Sequence, residues 1–232
     1  TTSYPGAEIM NLIKDDLKAK GIELEIVEMN DYVTPNLALA DGDIDVNSFQ
    51  HLPYLEQFNK DKGLDLVSAG ATYICPLGLY SKKYKSLEEL PEKAVIAIPN
   101  DPTNSGRALL LFHKAGLIEL KDPTDLRATT FDIVKNPKNF KFKELEAAQL
   151  PRILPDVDAA VINGGYAVNA GFFPTEDSIV LEDKDSPYIN IFAVRAGDEN
   201  REDIKALVEA FQTDKVRDYI LKTFKGGFIP VF

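Results

Sequence analysis

At 232 residues the chain is long enough for two compact lobes or one large domain, and 44% hydrophobic with 27% charged residues excludes a disordered composition. No apolar run reaches the roughly 20 residues that cross a bilayer. A net charge of −11, with the acids spread along the sequence, leaves no basic stripe for phosphates and argues against a nucleic-acid partner.

Thr1-Thr2-Ser3-Tyr4-Pro5-Gly6 reads as the end of a strand and the turn after it. A helix follows over 7–20, with an apolar stripe at Ile9, Leu12, Ile13 and Leu17. Gly21 stops it, and 22–28 alternates like a strand. Residues 34–40 predict a short helix, 44–46 a strand, 53–62 a helix ended by Gly63, and 66–69 and 73–80 two strands. The pattern then restarts. A short helix is expected at 86–90, a buried strand at 94–98, a helix at 105–115 and an apolar strand at 159–162. Ile189–Val194 is a further strand, and 203–213 and Asp214–Phe224 are closing helices. Such alternation predicts an α/β architecture with mostly parallel sheets.

Two βα successions separated by Ser81-Lys82-Lys83-Tyr84-Lys85 predict two lobes. A second crossing is expected in 183–189, where Lys184-Asp185-Ser186-Pro187 breaks regular structure. The first lobe is then discontinuous, 1–80 plus 190–232, and the second is 81–189. A cleft between two such lobes is the natural ligand site, and hinge closure the natural motion.

Four polar segments interrupt this framework. Asn47-Ser48-Phe49-Gln50-His51-Leu52-Pro53-Tyr54 stands at the carboxyl end of the 44–46 strand, where open α/β sheets bind ligands. Phe49, His51 and Tyr54 suit a pocket wall; from this stretch alone, core packing for the rings and helix capping by His51 is the slightly stronger reading. Pro99-Asn100-Asp101-Pro102-Thr103-Asn104-Ser105-Gly106-Arg107 runs from a strand into a helix whose amides attract anions. Arg107 adds a carboxylate grip, although a capped helix with a solvent-facing arginine fits the pattern better when it is taken alone. Ala160-Val161-Ile162-Asn163-Gly164-Gly165-Tyr166 ends a strand in Asn163 and two glycines, and Ser186-Pro187-Tyr188-Ile189-Asn190 puts Asn190 at the second crossing.

Catalytic patterns are weak. His51 and His113 are the only histidines, the latter mid-helix with a structural or exposed reading. No nucleophile elbow or metal-ligand spacing occurs, so neither a cofactor nor a metal is expected. The lone Cys75, within an apolar run, reads as a small buried hydrophobe.

Taken in order, these segments resemble the methionine-binding lipoproteins of bacterial ABC importers, the NlpA or MetQ family, over nearly the whole chain. Asn136-Pro137-Lys138-Asn139 and Glu146-Ala147-Ala148-Gln149-Leu150-Pro151-Arg152 match as well. The resemblance implies a two-lobed periplasmic-binding-protein fold with the ligand cleft between lobes. It implies an extracytoplasmic protein, lipid-anchored to the bacterial cell membrane through its N-terminal side, monomeric, that delivers L-methionine or a methionyl dipeptide to an ABC permease. Tyr32, Phe49, His51 and Tyr54 fall where the family surrounds the thioether, with Tyr73 counted among the ligand contacts. Arg107 falls on the ligand carboxylate, and Asn104, Asn163 and Asn190 fall around the amino-acid backbone. Gly6 and Gly164-Gly165 stand where many relatives carry bulkier residues, which bears on ligand size. The alternatives are an enzyme on the same scaffold, with His51 its evident acid or base, and a surface antigen or adhesin.

Overall fold

Leu77–Tyr80 (β3), Val95–Pro99 (β4) and Ala159–Asn163 (β8) are apolar runs whose alternate residues point to opposite faces of one sheet. In the computed structural model, which describes Thr1 and residues 3–232, Leu77, Leu79, Ile96, Ile98, Ala159 and Val161 join one buried cluster. Tyr80, Ala97, Ala160 and Ile162 join another. Helix Pro102–Lys114 (α5) covers the first face with Ala108, Leu109 and Phe112. The second face is covered by Leu150 of helix Leu150–Ile153 (α6) and Ala167 of helix Gly164–Asn169 (α7). Strand order is β7-β4-β8-β3-β9, with Lys141–Leu145 (β7) and Val180–Leu181 (β9) at the edges. Strand β4 runs parallel to β7 and β8, while β3 is antiparallel to β8 and β9. Glu119–Leu120 (β5) and Ile133–Lys135 (β6) form a small separate ladder, and Pro174–Asp177 (α8) precedes β9. These elements make up one compact unit, Pro76–Asp183.

The other unit is Thr1–Cys75 with Lys184–Phe232. Its sheet has the order β1-β10-β2-β11: Asn47–His51 (β1), Ile189–Val194 (β10), Val67–Ile74 (β2) and Ile229–Pro230 (β11). Each of these pairings is antiparallel, so the expectation of mostly parallel sheets is corrected here. Around the sheet lie Glu8–Asn11 (α1), Lys14–Ala19 (α2), Thr34–Asp41 (α3), Leu52–Lys62 (α4), Glu202–Phe211 (α9) and Asp214–Phe224 (α10). Leu39, Leu55, Leu66, Ile191 and Ala193 pack together, and Phe192 meets Phe211 edge-on at 5.1 Å between ring centroids.

The division between units falls a few residues before the first expected crossing and within the second, at Asp183–Lys184. β3 belongs to the second unit because it pairs with β8 and β9, and Pro76 separates it from β2. Cys75, expected buried, is half-buried at this junction.

Several elements depart from the sequence pattern for visible reasons. The helix expected over 7–20 is broken at Leu12, whose carbonyl accepts from Lys215 Nζ at 2.7 Å instead of closing a helical turn. Ser86 to Leu90 form turns rather than a helix. Lys138 Nζ takes the carbonyls of Leu87, Glu88 and Leu90 at 3.1, 3.2 and 2.7 Å. Among the described residues, 22–28 join no strand, although Thr1 bonds to Val27 and Met29; residues 22–27 with 43–48 line a cavity of about 370 Å³. Of the strand end and turn read over 1–6, Thr2 lies outside the described residues, and Ser3–Ala7 is a π-helical turn.

Candidate functional site

The strand expected at 44–46 begins three residues later, so Phe49 and His51 lie within β1 rather than beyond its end. The polar sequence Asn-Ser-Phe-Gln-His is buried throughout because its amides satisfy one another. Asn36 Nδ2 donates to Gln50 Oε1 at 2.9 Å. Asn36 Oδ1 accepts from Asn47 Nδ2 at 2.9 Å and from Gln50 Nε2 at 2.6 Å. This network pins α3 to β1, and a register shift against β10 falls between Ser48 and His51.

His51 then caps α4. Its backbone is extended, its Nδ1 accepts from Tyr54 N–H at 3.1 Å, and Pro53 occupies the first turn, where no amide is needed. The cap sets Tyr54 against Tyr32 and Phe49, with each of those centroids 6.0 Å away, and Tyr32 lies 5.5 Å from Phe49. The Tyr54 hydroxyl donates to the Tyr32 carbonyl at 2.8 Å. Phe58, one turn along α4, stacks on Tyr54, and Tyr188 meets the His51 ring edge-on at 4.9 Å. Asn190 stands opposite His51 in the β1–β10 ladder, and its Nδ2 reaches the Phe49 carbonyl at 3.5 Å. Tyr73 belongs to a different ring group, with Phe228 at 5.1 Å, and is linked to this one by a hydrogen bond to Asn190. Burial pushes its hydroxyl far above the usual tyrosine range, which keeps it neutral.

In the second unit, α5 starts three residues earlier than expected. Ser105 N–H is already spent on the Asp101 carbonyl at 2.8 Å, so the free amides expected at Ser105-Gly106 are corrected. The Asp101 carboxylate caps the helix, accepting from Asn104 N–H and Thr103 Oγ1, both at 2.9 Å. Asn104 and Arg107 lie one turn apart and are almost fully buried, at 1% and 3% exposure. Asn163 ends β8 and donates its amide to Asn104 Oδ1 at 2.8 Å, while its own Oδ1 is buried without a partner.

Arg107 is not the solvent-facing arginine of a capped helix. Its Nε donates to Glu182 Oε1 and Oε2 at 2.9 and 3.1 Å, and its Nη2 closes onto Oε2. The structure thus brings Tyr32, Phe49, His51, Tyr54 and Asn190 together in one unit and Asn104, Arg107 and Asn163 together in the other. Sequence reasoning missed Phe58, Tyr188 and Glu182. The four-residue spacing from Tyr54 signals Phe58, whereas Glu182 meets Arg107 only through β9. His113, the second histidine, is structural: its Nδ1 accepts from Leu120 N–H at 3.2 Å. Among the described residues no group of three or more His, Cys, Asp or Glu is placed to hold a metal, and no helix is long and apolar enough to cross a membrane.

The family model for NlpA lipoprotein matches residues 1–232. The D-methionine-binding lipoprotein MetQ of Salmonella typhi is 52% identical over 211 residues, 90% of this chain and 78% of that protein. Its Escherichia coli K12 counterpart is 51% identical over the same shares. A Burkholderia cenocepacia nutrient-binding protein solved bound to methionine is 50% identical and superposes with a TM-score of 0.95, covering 98% of this chain and 96% of that one. The chain belongs to the NlpA lipoprotein family.

Proposed function

We propose that this protein captures methionine, free or in a dipeptide, and delivers it to the permease of an ABC importer without altering it. An N-terminal lipid holds it, as a monomer, on the outer side of the bacterial cell membrane. The rings of Tyr32, Phe49, His51 and Tyr54 supply polarisable contacts suited to a thioether, with Tyr73 behind Asn190. Arg107 takes the ligand carboxylate, and Asn104, Asn163 and Asn190 surround the ammonium and backbone. The observation that carries this reading is Asn163 Oδ1, a buried acceptor with no partner, on the residue hydrogen-bonded to Asn104. A ligand ammonium supplies the donors it lacks. The relatives named above support the same ligand class.

Calorimetry on refolded, ligand-free protein tests the reading. One-to-one heat is expected with L- or D-methionine or a methionyl dipeptide, and the ligand is recovered unchanged. Losing one partner of a buried charge pair costs about 2–5 kcal/mol, and about 1.4 kcal/mol is a factor of ten. Arg107→Ala should therefore bind at least tenfold more weakly. Arg107→Lys should restore only part, because an ammonium lacks the planar fork. Wild type should bind methionine amide poorly. Silence towards methionine, its sulfoxide and its dipeptides sinks the proposal, and wild-type affinity in a folded Arg107→Ala places the carboxylate elsewhere.

A further inference from the structure

The Arg107 guanidinium is held by a carboxylate that is itself held. Glu182 Oε2 accepts from Leu77 N–H at 3.1 Å, and Glu182 N–H donates to the Leu77 carbonyl at 2.9 Å. The two residues are thereby clasped in both directions, extending the β3–β9 pairing of Gly78 with Leu181. Leu77 also stands opposite Asn163 in the β3–β8 ladder. Asn163 bonds Asn104, and Asn104 lies one turn before Arg107 on α5. The contacts close a circuit: Arg107, Glu182, Leu77, Asn163, Asn104 and back to Arg107 through the helix.

We propose that Glu182 is the positioning residue of the binding site, fixing the plane of the Arg107 guanidinium against the backbone of β3 so that it meets the ligand carboxylate already oriented. The inference rests on the reading of Arg107 as the carboxylate anchor. Two features separate it from a bare structural ion pair. The carboxylate engages Nε together with Nη2, a two-pronged contact that fixes the rotation of the fork. Both partners are also withdrawn from water, with side chains 3% and 14% exposed, where a long side chain without such a partner would either sample several rotamers or carry an uncompensated charge. Orienting it before binding removes that ordering cost from the binding step.

The test uses the full chain, with calorimetry against methionine and methionine amide and a nitrogen NMR signal from the Arg107 Nε–H. In ligand-free wild type that signal should be a single, slowly exchanging line. Glu182→Gln keeps the shape and an acceptor for Leu77 but loses the charge and half of the fork. Its line should broaden, and its affinity for methionine should fall about tenfold. Glu182→Asp, which keeps the charge on a shorter stem, should recover part of the loss. Affinity for the amide, which presents no carboxylate to Arg107, should be the same in all three proteins. A freely averaging Arg107 line in wild type overturns the proposal without recourse to any variant. So does a folded Glu182→Gln that binds methionine as tightly as wild type or more tightly, or that loses methionine and amide equally. Failure of the underlying reading looks different: there Arg107→Ala itself binds methionine normally.

Discussion

A buried amide oxygen with no donor is costly at about 1–3 kcal/mol, and Asn163 bears that cost while its Nδ2 is committed to Asn104. An ammonium arriving beside it exchanges its hydration for a waiting acceptor. Hydrogen bonds to charged groups contribute about 1.5–3 kcal/mol, which is one to two factors of ten in affinity. Asn163→Leu should therefore weaken methionine by about tenfold or more, yet leave N-acetylmethionine, which has no ammonium, at its already poor affinity. Calorimetry with the two ligands reads the difference; unchanged methionine binding in a folded variant removes Asn163 from the site. At this scale the sequence singled out Arg107, Asn104 and Asn163 but not their partners. Glu182 is 75 positions from Arg107, and no spacing rule links them. His51 illustrates the reverse: capping was legible, because Pro53 and a helix follow it, and the cap holds the backbone N–H of Tyr54, whose ring meets that of His51 edge-on at 6.2 Å.

Two glycines show how an element constrains a site. Gly106 sits inside α5, where a Cβ would lie 2.4 Å from the Leu126 carbonyl oxygen, so the helix approaches the 126–128 loop only because no side chain intervenes. Gly165, near the start of α7, has open space around its Cβ position and no positive φ. The same substitution should then have opposite consequences. Gly106→Ala should cost about 1–3 kcal/mol in urea unfolding, as overpacking does, and should weaken methionine because α5 carries Asn104 and Arg107. Gly165→Ala should be neutral or stabilising by up to about 1 kcal/mol. Equal destabilisation by both would show that the α5 contact with the loop is not what limits position 106. Strands with continuous apolar residues and helices with clear stripes were legible to within a few residues, as β8, β10 and α10 show. Elements governed by a distant polar side chain were not. Lys138 unmakes the helix at 86–90, Lys215 breaks the first one, and the amides of Asn36, Asn47 and Gln50 build a buried strand from polar residues. None of these leaves a periodic trace.

The second unit is an insertion in the first, with the chain passing from one to the other at Cys75–Pro76 and again at Asp183–Lys184. A ligand that binds only the native state stabilises it by mass action, by about 2.7 kcal/mol when its concentration is a hundred times Kd. For a chain of 150–250 residues, 1 kcal/mol moves Tm by about 2–4 °C. Methionine at that excess should therefore raise the melting temperature by about 5–11 °C. The dependence is logarithmic, so Tm should keep rising after calorimetry shows the site filled. A chain carrying a net charge of −11 repels itself, so the series belongs at one ionic strength, where screening does not drift with added ligand. Methionine amide, lacking the carboxylate proposed to meet Arg107, should shift Tm much less at equal concentration. If the proposed contacts from both units are made, methionine should raise the melting of the whole chain together, tracked by the Tyr32–Tyr54 rings in one unit and Tyr80 in the other. A rise confined to one set of signals would show that the ligand is held by one unit alone. A flat Tm across the concentrations that saturate the calorimeter would mean that the heat reports something other than binding to the folded protein.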